Sequence, residues 1–406
     1  MHKNILRCAA ALAICHASGA SAGGLWLNTL GDFSGGRASA GAAAGTDDAA
    51  TILHNPASAT RVQNRQLFAS GGAILPDVKF KTEYSNERYG YGNGGDAAVD
   101  SPAGSGAYVQ DLGSDKWSGG VYFTGLAGAG LEYDDDWVGR HQATDVELLV
   151  AAVAPTIAYQ LTDQLSVGAS VQYWYANLDL KLKVPRLDPN LAEPTASVNG
   201  DDTGFGYTLG AMYELTDRTR FGISYQSEIQ PNFNGDLKIK GAEAGEVAVS
   251  SSTKLNMAEF VRFGMHHAMD DKWAVELSLG WDNWSQLGNV LLATENRGAS
   301  IPTKWKDTYH YAWGVQYQLD KRWAFTTGIS YDTNPVSAHY RNAQLPMDRQ
   351  IYYAVGTRYQ MSDTFTMGGY INYADLGSAK ISNPRFGGEY HDNSMVQLMV
   401  NATWTF

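Results

Sequence analysis

The last eleven residues of the chain alternate in character. Phe406, Trp404, Ala402, Val400, Leu398 and Val396 fall on one face of an extended strand, and Thr405, Thr403, Asn401 and Gln397 on the other, with Met399 the one apolar intruder. A period of two kept to the terminal carboxylate describes a strand that separates an apolar medium from a polar one. Past the first two dozen residues the sequence has no run of about 18 apolar residues, so no helix can cross a bilayer. A chain that crosses without such helices must satisfy its backbone by closing a sheet into a barrel.

The opposite end reads as an export signal. Lys3 and Arg7 give a positive start, Cys8 to Ala17 a short apolar stretch, and Ala20-Ser21-Ala22 a small-residue cleavage site. Cleavage there starts the mature chain at Gly23 and removes both cysteines, Cys8 and Cys15, together with two cations. The exported protein is then free of thiols and more acidic than the formal −12 of the full chain. Ile14 is too bulky for the lipoprotein box that Leu12-Ala13-Ile14-Cys15 would otherwise suggest. With no basic run and an acidic balance, the chain is not a nucleic-acid binder.

A tight turn recurs at Gly113-Ser114-Asp115-Lys116, Leu161-Thr162-Asp163-Gln164, Leu215-Thr216-Asp217-Arg218, Met269-Asp270-Asp271-Lys272, Leu319-Asp320-Lys321-Arg322 and Met361-Ser362-Asp363-Thr364. Asp and Ser favour such corners because their side chains bond nearby backbone amides. An aromatic residue or Leu follows each turn: Trp117, Leu165, Phe221, Trp273, Trp323 and Phe365. These predict one aromatic girdle at a membrane interface. Six turns join twelve strands; one strand before them and one after predict a 14-stranded antiparallel barrel, an even number as bacterial barrels require. Between the turns lie long polar connections, near Tyr89 to Gly106, Pro185 to Asp202, Gly235 to Ser252 and Asn296 to Lys304, which predict outer loops. Strand faces are clear elsewhere, as in Phe205, Tyr207, Leu209, Ala211 and Tyr213.

Residues Gly23 to Asn64, rich in Gly, Ala and small polar residues, lack strand alternation and predict a separate compact element ahead of a first strand near Gln66 to Tyr84. A barrel of about 14 strands encloses a lumen that wall side chains alone do not fill, so an internal plug is the natural role. The division expected is an export signal at 1–22, a hatch at 23–64 and a transmembrane barrel at 65–406.

Within that N-terminal element, Leu27-Asn28, Gly36-Arg37-Ala38 with Gly41, and Asp47-Asp48-Ala49 leading to Asn55-Pro56-Ala57 resemble the hatch of the long-chain fatty acid transporters of the outer membrane, the FadL family. Gly204 to Glu228, Trp273 to Gln286, and Trp305-Lys306-Asp307 through Pro335-Val336 agree with it. The resemblance implies passive, ligand-gated uptake of long-chain fatty acids or similar hydrophobic molecules, with lateral exit through the barrel wall. An acyl chain costs roughly 0.8 kcal/mol per CH₂ to hold in water, so an apolar pocket opening into lipid is a sensible route. The terminal Phe406 resembles the signal read by the barrel assembly machinery, and the surroundings implied are outer-membrane lipid and lipopolysaccharide, with the chain a monomer.

On that resemblance, Leu25, Trp26, Leu27 and Phe33 are the expected ligand contacts, and Asn55, Pro56 and Ala57 fix the hatch against the wall. The run Gly125-Leu126-Ala127-Gly128-Ala129-Gly130 falls on the third strand, where the family has a kinked wall; Gly125, Gly128 and Gly130 are the candidates for a lateral opening. A carboxylate substrate calls for a cation. The family's strand-five cation falls on Asn177 here, which leaves Arg37, Lys304, Lys306 and Arg349 as candidate carboxylate contacts. The Pro185 to Asp202 connection is also shorter than the family's helical capture loop. Aromatic hydrocarbons or alkanes therefore stay open as substrates, alongside a diffusion porin or a sealed structural or adhesive barrel that transports nothing.

No catalytic, cofactor or metal constellation stands out. His266 and His267 point to opposite faces of a strand, His310 stands beside tyrosines, and Asp134-Asp135-Asp136 lacks the spacing of a calcium loop. There is no nucleophile elbow to indicate a lipase.

Overall fold

A computed structural model describes residues 25–114, 116–186, 188, 191–242, 245–287, 289–294 and 297–406. The expected export signal with its cleavage site, and the turn residue Asp115, lie outside the described residues. The strands are β1 (Gln66–Ser85), β2 (Ser101–Ser114), β3 (Trp117–Glu132), β4 (Asp145–Gln160), β5 (Leu165–Lys183), β6 (Thr195–Thr216), β7 (Thr219–Gln226), β8 (Asn232–Ala242), β9 (Gly245–Lys254), β10 (Phe260–Ala268), β11 (Trp273–Asp282), β12 (Asn289–Thr294), β13 (Arg297–Pro302), β14 (Thr308–Gln318), β15 (Trp323–Asp332), β16 (Gln350–Ser362), β17 (Phe365–Asp375), β18 (Ile381–Ser382) and β19 (Phe386–Thr405). Antiparallel pairing runs β1 to β7 in order, then through β10, β11, β14, β15, β16, β17 and β19, and back to β1. Fourteen strands close the barrel, and all six predicted turns are its tight hairpins.

The turn chemistry follows the sequence. Asp270 Oδ1 accepts from the amides of Lys272 and Trp273, both at 2.8 Å, and Asp320 Oδ1 does the same for Arg322 and Trp323 at 2.7 and 2.9 Å. Four of the five aromatics after such turns meet an aromatic at the end of the strand that returns from the far side, while Phe221 has Met265 as its register partner and stacks on Phe263. Trp117 with Tyr159, Trp273 with Tyr317 and Trp323 with Tyr359 are register partners, each pair 4.5 Å apart at the ring centroids. Phe365 and Trp404 repeat the pattern at 5.1 Å. Cross-strand aromatic pairs of this kind stabilise a sheet and anchor it at a membrane interface.

Above the girdle, apolar residues cover the outside. Phe205, Tyr207, Leu209 and Tyr213 on β6, and Leu398, Val400 and Trp404 on β19, are exposed, whereas Gln397 and Thr403 face inward and are buried. Met399, the apolar intruder, is also buried, and it faces Gly31 of the N-terminal segment. The inward face of β19 is thus polar except where another part of the chain packs against it.

The outer connections are more ordered than predicted. Residues 195–202 and 101–106 are strand, and the stretch expected as a loop from Gly235 to Ser252 is the hairpin β8–β9, carried onward by β12 and β13. The hairpin pairs through β8 with the top of β6, beyond the apolar belt, so no lipid-facing alternation marked it as strand, and residues 101–106 pair with β1. Pro102 is tolerated in β2 because its stretch pairs with β1 while the β2–β3 register reaches only to Ser105 and Thr124.

Candidate functional site

Inside the barrel, residues 33–61 form four short 3₁₀ turns: Phe33–Arg37, Ala42–Ala44, Ala49–Leu53 and Pro56–Arg61. Asp32, Asp48 and Asn55 start the first, third and fourth, each accepting from an amide two residues on, which satisfies the open end of the turn. Burial alone would raise the Asp32 carboxyl, but His54 at 2.9 Å and the Ser34 amide outweigh it and hold the pKa down to about 2. Between them the turns touch the wall all round: the first against β14 to β17, the second against β7 and β10, the third against β1 to β3, and the fourth against β3 to β6.

Close approach depends on glycine in the wall. A Cβ at Gly210 would collide with the Asn55 side chain, at Gly222 with the Ala43 carbonyl, at Gly328 with the Arg37 backbone, and at Gly356 with Gly36. Gly168 and Gly210 are register partners, as are Gly222 and Gly264, and Gly314 and Gly328, so the glycines form a belt at the level of the turns. Hydrogen bonds then fix the segment. Asn55 is fully buried, with Oδ1 accepting from Ala57 N at 3.0 Å and Nδ2 donating to Ala43 O at 2.7 Å and to Ala211 O of β6 at 3.1 Å. From the wall, Arg220 Nε and Nη2 donate to Ala44 O and Gly45 O, both at 2.9 Å.

Ahead of the turns, residues 25–31 climb the lumen. Leu27 N donates to Leu126 O at 2.9 Å, Trp26 bridges Ala127, and the Trp26 indole donates across to Ala258 O at 2.8 Å. The contact with β3 falls at a particular place. Leu126 is a bulge residue, since the β4 register passes from Gly125 opposite Ala151 to Ala127 opposite Val150. On its other side β3 has left β2, whose ladder stops at Thr124. The N-terminal segment therefore lies against the inside of a break in the wall.

A cavity of about 60 Å³ opens beside it, lined on its apolar side by Trp26, Leu126 and Phe260. Next to this cavity Leu25, Trp174, Phe233, Met257, Trp284 and Trp305 form one buried apolar cluster with Trp26 and Leu126. The polar side has Gln226, Arg262 and His310. Arg262 Nη2 donates to Asp282 Oδ1 at 2.8 Å and to Asn28 Oδ1 at 3.1 Å, and the guanidinium lies 4.6 Å over the Phe260 ring. His310 Nδ1 is 2.9 Å from Asp332 Oδ1.

Of the residues singled out from the sequence, Trp26 and Leu27 line this cavity and Leu25 joins the apolar cluster. Gly125, Gly128 and Gly130 flank the bulge on β3, opposite Ala151, Leu149 and Glu147. Phe33 lies elsewhere, buried beneath the Arg358 guanidinium at 4.6 Å. Arg37 is buried among the turns, donating through Nε to Ala40 O at 2.7 Å, with Nη1 3.9 Å from Glu276 Oε1. Lys304 and Lys306 are exposed on either side of buried Trp305, and Arg349 pairs with Asp375 at 2.9 Å. None of these four cations lines the cavity. Asn177 is half-buried on β5, 3.5 Å from Gly200 O. The sequence reading missed Arg262; its signal was a charge interrupting the run Phe260-Val261-Arg262-Phe263 at a lumen-facing position, legible only once β10 and β11 are aligned.

Comparison with known proteins gives a family match. The family described as "Outer membrane protein transport protein (OMPP1/FadL/TodX)" matches residues 13–405. A long-chain fatty acid transport protein of Salmonella typhi is 28% identical over 411 residues, covering 92% of this chain and 92% of the relative. A 47 kDa outer membrane protein of Pasteurella multocida is 28% identical over 382 residues, covering 87% of each. Among solved structures, a Pseudomonas aeruginosa FadL homologue superposes with a TM-score of 0.88 at 18% identity, covering 94% of this chain and all of that one. The P. putida toluene transporter TodX gives 0.73 at 17% identity, covering 93% and 99%.

Proposed function

Since this chain belongs to the OMPP1/FadL/TodX family of outer-membrane transport proteins and its barrel spans the outer membrane of a Gram-negative bacterium, we propose that it takes up long-chain fatty acids or similar hydrophobic molecules by passive diffusion gated by the ligand itself. The observation that carries this reading is the N-terminal segment lodged against the break between β2 and β3, beside an apolar cavity. A molecule arriving in the apolar cluster has to displace Trp26 and Leu27 to occupy it. That displacement uncovers the gap at Leu126, and the ligand leaves sideways into the lipid. The energetics favour the lateral route, because the turns and the glycine belt fill the axial one and every CH₂ led into lipid avoids roughly 0.8 kcal/mol of exposure to water.

The four cations expected from the sequence to meet a carboxylate lie off the cavity. This favours a second substrate, an aromatic hydrocarbon or alkane, through the same path. Lipopolysaccharide surroundings, assembly through Phe406 and a monomeric state belong to the same reading.

Uptake of labelled oleate and labelled toluene by cells stripped of their own transporters, with and without this protein at matched outer-membrane levels, tests it. Protein-dependent uptake of oleate supports the fatty acid reading, and of toluene alone the hydrocarbon one. Uptake of neither contradicts transport and leaves a sealed barrel.

A further inference from the structure

Among the described residues, three buried polar atoms without partners lie close together on β5 and β7. Gln226 is 5% exposed, yet one end of its carboxamide has no hydrogen bond. Its Oε1 accepts from Gln172 Nε2 at 3.1 Å, and Gln172 Nε2 also reaches Tyr122 Oη at 3.0 Å and Thr208 Oγ1 at 3.1 Å. Gln226 Nε2 and Gln172 Oε1 are left open. If both carboxamides turn over, Gln226 exchanges an open donor for an open acceptor and Gln172 the reverse, so each amide still has one end unused. Two residues back along β7, Ser224 Oγ is likewise buried without a partner, directly opposite Arg262 in the register. Buried polar groups in native proteins are overwhelmingly satisfied, so such a cluster can take a further polar partner, a water or the head of a ligand.

Gln226 borders the cavity, and so do Arg262 and His310. Both already have an acidic partner: Arg262 has Asp282, which is fully buried, and His310 has Asp332, also fully buried. Two carboxylates thus stand behind the two basic groups. An incoming carboxylate anion would add a further negative charge in a site of low dielectric, which is costly. An uncharged head meets no such penalty.

We propose that Gln226, with Arg262 on the neighbouring strand β10 and His310 on β14, forms a polar subsite for the uncharged head of an amphiphile that both donates and accepts hydrogen bonds, a hydroxyl or an un-ionised carboxyl. This inference rests on the transport reading above and names the chemistry of its ligand. The tail lies where Trp26, Leu126 and Phe260 now meet. The free space holds a head but not a chain, so tail binding moves Trp26 and with it the segment lodged at the gap in the wall. Asn28 Oδ1 accepts from Arg262, and a bound hydroxyl competes for that same donor.

Equilibrium dialysis of the full mature protein in lipid nanodiscs, corrected for uptake by empty discs, tests this with three tritiated probes of equal length: dodecane, 1-dodecanol and dodecanoate at pH 8.5. The expected result is that dodecanol binds about tenfold more tightly than dodecane, the size of one good hydrogen bond, and more tightly than ionised dodecanoate. Gln226→Leu, checked for folding by its heat-modifiable gel mobility, is expected to narrow the alcohol-to-alkane ratio to about threefold or less. Equal binding of dodecanol and dodecane by the wild type overturns the subsite without touching the transport reading, and needs no variant. Tightest binding of dodecanoate overturns the uncharged head, and a ratio unchanged in Gln226→Leu overturns the assignment to Gln226. Binding of none of the three overturns the subsite and the transport reading together.

Discussion

Asn55 shows how one side chain holds an internal element to a wall. Its carboxamide uses both ends, and the two carbonyls it serves, Ala43 O in the turns and Ala211 O on β6, are left without that donor when it is removed. Leaving a buried polar group unpaired costs about 1–3 kcal/mol. Asn55→Ala is therefore expected to loosen the hatch by about that amount while the barrel still folds. Hydrogen exchange checks this directly: amides of residues 42–61 should exchange about tenfold faster or more, with strand amides unchanged. Gly222→Ala should give the same pattern by a different route, since its Cβ would collide with Ala43 O and push the second turn off the wall. Equal protection of the turns in both variants would mean that the belt and the Asn55 bonds do not hold the hatch.

At the scale of elements, the six tight turns and the strands they join could be counted from the sequence because each device is local. An Asp or Thr side chain closes its own turn, and an aromatic two or three residues on reaches its register partner. The hatch could be told from the strands by its composition. What could not be read were relations between distant segments: the pairing of Arg262 with Asp282, the orphaned end of Gln226, and the strands above the membrane, where both faces meet water or protein and the period of two loses its apolar half. The glycine run on β3 was visible, but its consequence depends on β2 ending its ladder at Ser105, which only the register shows. Leu126 is the extra residue that sets this bulge. Deleting it should let β3 run straight past Gly125, a change a bulge tolerates without loss of the barrel. Uptake of the transported ligand should then fall several-fold at unchanged surface level, and undiminished uptake would remove the bulge from the pathway.

For the whole molecule, the arrangement is a barrel whose lumen holds the four turns and whose wall is interrupted at its side, with the interruption covered from within by residues 25–28. On the function proposed above, gating and exit are one event, movement of residues 25–28 away from β3. Leu27 N donates to Leu126 O at 2.9 Å, so cysteines at these two positions lie in adjacent antiparallel segments, within the usual span of a disulfide. The chain's own cysteines, Cys8 and Cys15, precede this segment and fall within the expected export signal. The most direct measurement is ligand uptake by the Leu27→Cys/Leu126→Cys protein, oxidised and then reduced, beside each single-cysteine variant. Oxidation is expected to lower uptake to that of cells without the protein, and reduction to restore it, with the single variants indifferent to both. Uptake that persists at full rate with the cross-link complete would contradict a gate at this break in the wall.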